Sequence, residues 1–278
     1  GIAMRVIVLS DHGGDQYRQT VQQVQAAGAN AEAWQGAYRA ASADLQQAKR
    51  AKPLWKRLLA VSTPEERLAH DQVRGTWQQT QQAWAGASAA THRAHQQAAG
   101  VGGEEALAQA MSVLPDEWVM LRGYRNRRGE TDHVLVGPLG VWAVEVKCRR
   151  VRLHVDGDRW WFEKLDARGR AVERSDAVDG GGRSWGRQVT EVAGDLAGWL
   201  ARNGQTVPVC TAVMIMHWQA QLGWCQHVPV DVLATHPNAL LQAIGARRTP
   251  LPADTCERIV ALIRRDHTYH AQRRRRPH

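Results

Sequence analysis

The sequence predicts an α/β domain preceded by an N-terminal helical arm, and three observations carry that prediction. From Asp15 to Ala99 the chain is rich in Gln and Ala and poor in Ile, Leu and Phe, the usage of long solvated helices with a narrow contact seam. Beyond Gly100 the pattern changes to short β-branched runs punctuated by turn residues. Two of those runs, Asp132 to Val136 and Val141 to Lys147, are apolar on both faces, as strands in the middle of a covered sheet are. A chain of 278 residues with 44% hydrophobic content buries a substantial core, which excludes disorder throughout.

Within the arm, assigned to residues 1–100, Val73, Trp77, Thr80, Trp84, Ala87, Thr91, Ala94 and Ala98 step alternately by four and three, the spacing of a heptad seam. An earlier stripe of Tyr17, Val21, Val24, Ala31, Trp34, Tyr38 and Leu45 predicts a first helix. Lys52-Pro53 separates the two, and Thr63-Pro64-Glu65-Glu66 starts the second with an N-cap, a proline at the first helical position and a capping-box Glu. Two antiparallel helices are expected, serving self-association or recruitment. His92 and His95 share a face of the second helix; without a third ligand they are read as solvated.

Gly100-Val101-Gly102-Gly103 is read as a break, after which a domain over residues 101–235 begins with a short helix from Glu104 to Val113. A strand around Trp118 to Tyr124 comes next, then the two central strands. Val151 to Val155 and Arg159 to Lys164 flank Asp156-Gly157, a hairpin turn. Trp160 and Trp161 are neighbours in that second strand and face opposite sides, so one is expected in the core and one free. The glycine-rich loop Gly180 to Gly182 leads to a helix from Ser184 to Arg202, and Val207 to Met216 is another buried strand. Residues 236–278 supply helices from Pro237 to Ala246 and Pro252 to Asp266 and a basic tail, Arg273 to Arg276.

The chain carries 36 Lys and Arg against 27 Asp and Glu, a formal charge of +9. That excess points to an acidic partner without locating it, since the first hundred residues hold 11 basic and 7 acidic side chains. Cys148, Cys210, Cys225 and Cys256 form no CxxC pair, which argues against a zinc cluster or a disulfide framework and predicts reduced thiols. No stretch approaches the roughly 20 apolar residues of a membrane helix, and Met4 to Leu9 is too short for a secretory core, so a soluble cytoplasmic protein is expected. Gly1-Ile2-Ala3, ahead of Met4, is expected to be a remnant of expression.

The chemistry-bearing segment runs from Gly129 to Lys147, Gly-Glu-Thr-Asp-His-Val-Leu-Val-Gly-Pro-Leu-Gly-Val-Trp-Ala-Val-Glu-Val-Lys. With Pro138 and Leu139 as the central turn residues, paired positions across the hairpin sum to 277, so Asp132 faces Glu145. Cross-strand neighbours have Cβ atoms roughly 4.5–5.5 Å apart, close enough for two carboxylates to share one hard cation. Glu145 and Lys147, two apart in a strand, project on the same face. Three charges on an otherwise apolar sheet face are costly unless they pair or hold a metal. A lone E-x-K means little; joined to an opposed Asp132 on buried flanks, it marks a site.

This segment resembles the nuclease-related domain (NERD) family, a branch of the PD-(D/E)XK nuclease superfamily, over about Gly100 to Val232. The resemblance implies a restriction-endonuclease-like core, a four-stranded mixed sheet flanked by helices, and a metal-dependent phosphodiesterase with Mg²⁺ or Mn²⁺ as cofactor. By position it implies Asp132 and Glu145 as the metal-binding acids and Lys147 as the motif lysine. Gly100 to Glu104 is similar to the Gly-x-x-Gly-Glu that opens the family's first helix, which implies Glu104 as a further acid near the metal. Gln188 falls where the family carries a helix glutamine. Two departures stand out: Ser184-Trp185-Gly186-Arg187 replaces the usual Asn-Pro, and Cys148 follows the lysine where Asn is common.

Such a site would polarise a scissile phosphate and acidify a bound water, with Lys147 orienting that water or neutralising charge at phosphorus. Arg122, Arg125, Arg127 and Arg128 precede the hairpin and Arg149, Arg150 and Arg152 follow it, and a basic rim binds backbone phosphates without reading sequence. The expected partner is nucleic acid, DNA ahead of RNA, with a homodimer or a partner protein engaged through the arm. The rival expectation is a nucleic-acid-binding or scaffolding protein that retains the fold with weak catalysis.

Overall fold

Glycine turns and β-branched runs fold residues 119–147 into three successive antiparallel strands, and the rest of the main sheet is built around them. The computed structural model describes residues 4–59, 61–248 and 250–275. Gly1-Ile2-Ala3, Arg276 and the side chains of His92, His95 and Arg275 lie outside the described residues.

The element order is β1 (Arg5–Val8), α1 (His12–Ala51), α2 (Leu54–Leu58), α3 (Pro64–Met111), β2 (Val119–Asn126), β3 (Gly129–Gly137) and β4 (Gly140–Lys147). There follow β5 (Val151–Asp156), β6 (Arg159–Leu165), β7 (Ala171–Asp176), α4 (Trp185–Arg202), β8 (Val209–Ile215), β9 (Gln221–Gln226), β10 (Val232–Ala234), α5 (Pro237–Gly245) and α6 (Ala253–Arg275). The chain divides into two units, residues 14–98 and residues 1–13 with 99–278. The C-terminal helices, set apart in the sequence reading, and the first strand both group with the second of these.

In the unit of residues 14–98 the predicted pair of helices is present, and Thr63 caps the second, its hydroxyl accepting from the Glu66 amide at 3.1 Å. Lys52 and Glu66 form a buried ion pair at 2.9 Å, and Tyr38 lies against Trp77 with ring centroids 5.2 Å apart, an antiparallel arrangement. The seam itself needs correction. Ala69, Thr80, Ala87 and Ala90 are buried, Val73, Thr76, Ala83 and Ala94 are half-buried, and Trp77 and Trp84 remain 47% and 45% exposed. The heptad spacing is retained, but its alternate positions fall one residue earlier, on small side chains. The seam hydroxyls of Thr76 and Thr80 satisfy themselves on carbonyls of the preceding turn, which makes these threonines tolerable there.

The expected break at Gly100 to Gly103 is also corrected, because α3 continues through all three glycines to Met111. A helical glycine costs only about 1 kcal/mol against alanine, and burial of Leu107 and Met111 on the sheet offsets that. Gly103 is a close-approach position: a Cβ there would lie 2.7 Å from Cys148 Cβ.

The unit containing residues 99–278 holds two sheets among the described residues. The main sheet has the order β1-β2-β3-β4-β8-β10, mixed because β2, β3 and β4 run antiparallel while β1, β8 and β10 pair in parallel. Its four central strands match the expected core, and β1 and β10 extend it at both edges. A second sheet, β7-β6-β5-β9, takes up the predicted Asp156-Gly157 hairpin, where Gly157 has φ +59. One face of the main sheet packs on Leu107 and Met111 of α3 and Leu240 and Ile244 of α5. The other packs on Val192, Leu196 and Leu200 of α4 and Ile259 and Ile263 of α6. The second sheet turns Leu153, Val155, Trp160 and Phe162 toward Trp185 and Val189 of α4, so Trp160 is core and Trp161 half-buried on the outer face. The four cysteines are free, and no helix among the described residues is long and apolar enough to cross a membrane.

The glycines of α3 give a direct test. Gly102→Ala, with nothing within 4 Å of the new methyl, should stabilise the protein by roughly 0.5–1 kcal/mol. Gly103→Ala should cost about 1–3 kcal/mol by forcing Cys148 aside. Denaturant unfolding of both variants beside wild type measures the difference, and equal shifts would contradict the packing described.

Candidate functional site

The site forms where β3 and β4 part. Their register runs His133↔Val144, Val134↔Ala143, Leu135↔Trp142, Val136↔Val141 and Gly137↔Gly140, which is the predicted pairing about Pro138-Leu139. Continuing it would set Thr131 opposite Val146, yet the ladder stops at His133. Side chains replace it: the Val146 amide donates to Asp132 Oδ2 at 2.6 Å, and the Thr131 hydroxyl donates to the Val144 carbonyl at 3.0 Å. Asp132 is thus pinned by its own carboxylate at the mouth of the gap.

Strand alternation sets Glu145 and Lys147 on the α4 side, beyond a column of Val141 and Ala143 that is fully buried. Glu145 is only 4% exposed; its Oε1 accepts from Lys147 Nζ at 3.0 Å, while Oε2 is buried with no hydrogen-bond partner. Lys147 also donates to Gln188 Oε1 at 3.3 Å and lies over the Trp185 ring at 5.5 Å. The helix supplying Gln188 and Trp185 begins at Ser184, whose hydroxyl accepts from the Arg187 amide at 3.1 Å. His133, between the acid and the apolar run, points to the opposite face, and burial lowers its pKa to about 3, leaving a neutral ring.

Burial pushes the Asp132 carboxyl well up, and the negative charges of Glu145 and Glu104 add to that against Lys147 and the Val146 amide. Glu145 is likewise raised by burial, opposed by Lys147. Glu104, on α3, is pushed up to about 7, first by burial, with Arg122 opposing and Glu145, Asp11 and Glu130 reinforcing. Three carboxyls therefore lie in one field with a single lysine bonded to one of them.

The donor set is all oxygen, the buried Oε2 lacks a partner, and the acids repel, so these residues fit a hard divalent cation. Among the described residues no group of three or more His, Cys, Asp or Glu is placed to hold a metal ion.

Residues 99–216 match the family model of the nuclease-related domain, NERD. This segment is a nuclease-related domain of the PD-(D/E)XK superfamily. No curated protein and no solved structure matches the chain at a significant level.

The domain brings Asp132, Glu145, Lys147 and Gln188 together and sets Glu104 within electrostatic reach. The arginines flanking the hairpin go to several places. Arg149 stacks over Trp185 at 5.7 Å and Phe162 at 5.8 Å, beside the lysine. Arg125 binds Glu130 at 2.6 Å, and Arg127 pairs with Asp195 of α4. Arg128 is exposed at the β2–β3 turn, its carbonyl accepting from Arg183 at 2.7 Å. Arg150 donates to the Leu165 carbonyl at 2.9 Å, and Arg152 lies on the outer face of the second sheet against Glu163 and Gln221. Sequence reasoning noted Trp185 only as a departure from the family pattern, whereas its ring carries both Lys147 and Arg149. It also missed Ser10, whose hydroxyl donates to the Gly123 carbonyl at 2.7 Å and contacts Glu130 at 3.3 Å, because the β-branched run Val6-Ile7-Val8, which forms β1, reads in the sequence only as too short for a secretory core.

The raised acid predicts a pH dependence. Glu104 binds its proton more tightly in the folded chain than in the unfolded one, so the resulting stability is present below about pH 4.5 and is lost as pH rises through about 7. In chelator, Glu104→Gln should therefore gain on wild type by about 1–3 kcal/mol between about pH 5 and about pH 8. Unfolding free energies at several pH values test this, and a pH-independent difference would contradict it.

Proposed function

We propose that the chain is a metal-dependent nuclease hydrolysing the phosphodiester bonds of nucleic acid, DNA ahead of RNA, with Mg²⁺ or Mn²⁺ as cofactor. The observation that carries this reading is half-buried Asp132 with buried Glu145, one of whose oxygens is unpartnered, beside a lysine anchored by Gln188 and Trp185. Preference for DNA rests only on the nuclease superfamily to which the nuclease-related domain belongs.

In this reading Asp132 and Glu145 hold the cation and Glu104 adds negative charge from α3. Bound there, the ion would supply Lewis acidity toward the phosphate oxygens and acidify water in its shell. Lys147 keeps its ammonium at the edge of the carboxylate pair, where it orients water or balances the charge that builds on phosphorus. Gln188 and the Trp185 face restrain that ammonium from two sides, so it arrives already positioned. Arg149, over the same ring, is the member of the basic set best placed to receive a neighbouring phosphate. Trp77 and Trp84, a heptad apart and about half exposed, support an associating role for the helical arm, with a second copy or a partner protein.

Cleavage of supercoiled plasmid and of linear duplex under Mg²⁺ or Mn²⁺ tests the proposal. Asp132→Ala and Glu145→Ala should each lower the rate by about 10²-fold or more, and Gln188→Ala by about tenfold. Wild-type rates in Glu145→Ala would sink the reading. Salt-dependent binding with no cutting of any DNA or RNA would favour a binding protein that keeps the fold.

A further inference from the structure

On the flank of the nuclease-related domain, α4 and α6 enclose a cavity of about 700 Å³ that the catalytic reading leaves unused. Its wall carries Arg202, Arg264 and Arg265 with Trp199 and Tyr269, and Arg273 lies over the Tyr269 ring at 5.7 Å. None of the three arginines is within ion-pair distance of an acid among the described residues, although Arg202 acts on Asp266 through its charge; Arg265 lies over the Trp199 ring at 6.0 Å. The acids of the same wall are already engaged. Asp195 is paired with Arg127, and Asp266 accepts from the Tyr124 hydroxyl and faces His270 Nε2 at 3.3 Å. Solvated arginines lining one wall, with the local acids engaged by other partners, form a receptor for phosphate.

Helix α4 fixes the distance of this cavity from the candidate catalytic site. Gln188 is on the same helix, so at about 1.5 Å per residue the cavity wall begins about 10 Å away at Asp195 and ends about 21 Å away at Arg202. Along a duplex strand, with one phosphate per roughly 3.4 Å of rise, that interval is about three to six base pairs.

We infer that the α4–α6 groove is an exosite that holds nucleic-acid backbone phosphates about three to six base pairs from the scissile bond, through Arg202, Arg264 and Arg265. The inference rests on the nuclease reading and deepens it by giving the substrate a second contact. Arg127, drawn to Asp195 on the rim, orders the groove without spending a free charge on the ligand.

The test uses the full chain with the triple variant Arg202→Gln, Arg264→Gln, Arg265→Gln, and the triple Arg→Lys variant as a charge-preserving control. Binding of a labelled 30-base-pair duplex is measured against salt with Ca²⁺ in place of Mg²⁺, beside Mg²⁺-dependent cleavage of the same duplex. The Gln variant should lose about two to three units of the log–log salt slope, about one per arginine, while the Lys variant keeps it. An unchanged slope in a Gln variant that still cuts overturns the exosite and leaves the nuclease reading intact. Wild-type protein that neither binds nor cuts any nucleic acid overturns the nuclease reading itself. Saturable binding of AMP or dAMP, lost in the Gln variant while duplex binding is unchanged, makes the groove a small-nucleotide site and overturns the strand assignment.

Discussion

The site depends on one hydrogen bond, that from the Val146 amide to Asp132 Oδ2 at 2.6 Å. It stands where a backbone ladder would otherwise continue, so it allows β3 and β4 to separate without leaving a buried amide unpaired. Separation makes room for carboxylates between two strands that are elsewhere tightly paired. The same bond holds Asp132 beside the strand that carries Glu145 and Lys147. A regular ladder would have closed this gap.

What fills the gap is electrostatically unbalanced. Glu145 is 4% exposed and Asp132 half-buried, and an ionised carboxyl at such depth loses most of its hydration. One lysine answers them, and it is shared with Gln188 and Trp185. A buried polar atom left unpartnered costs about 1–3 kcal/mol, more if charged, and Glu145 Oε2 is such an atom. A fold that retains this arrangement stores an affinity for positive charge.

Much of this was legible in the sequence because β structure has a strict period. Glycines and a proline at 137–140 set the turn, the turn set the register, and alternation then put Glu145 and Lys147 on one face, while Asp132 lies one residue past the end of the ladder with its carboxylate on the Val146 amide. What eluded the sequence depends on partners distant in the chain. Gly103 reads as a breaker, and only the approach of Cys148 reveals it as a contact inside a continuous helix. The arm's seam was misread by one residue at alternate positions because tryptophan looks more buriable than Thr76 or Ala83, whereas here the small residues face inward. Strands β7 and β9, largely exposed, carry no alternating pattern to betray them. The arginines near the hairpin form one cluster in sequence and several in space, since adjacent strand residues and separate sheets send them apart.

The most direct measurement is anomalous diffraction from crystals of the wild-type protein soaked in Mn²⁺. The account predicts a single strong peak in contact with the carboxylates of both Asp132 and Glu145, with Lys147 still held between Gln188 and Trp185. A map without a peak between those acids at saturating Mn²⁺, or with manganese bound only elsewhere, would contradict the claim that this carboxylate pair exists to hold a cation.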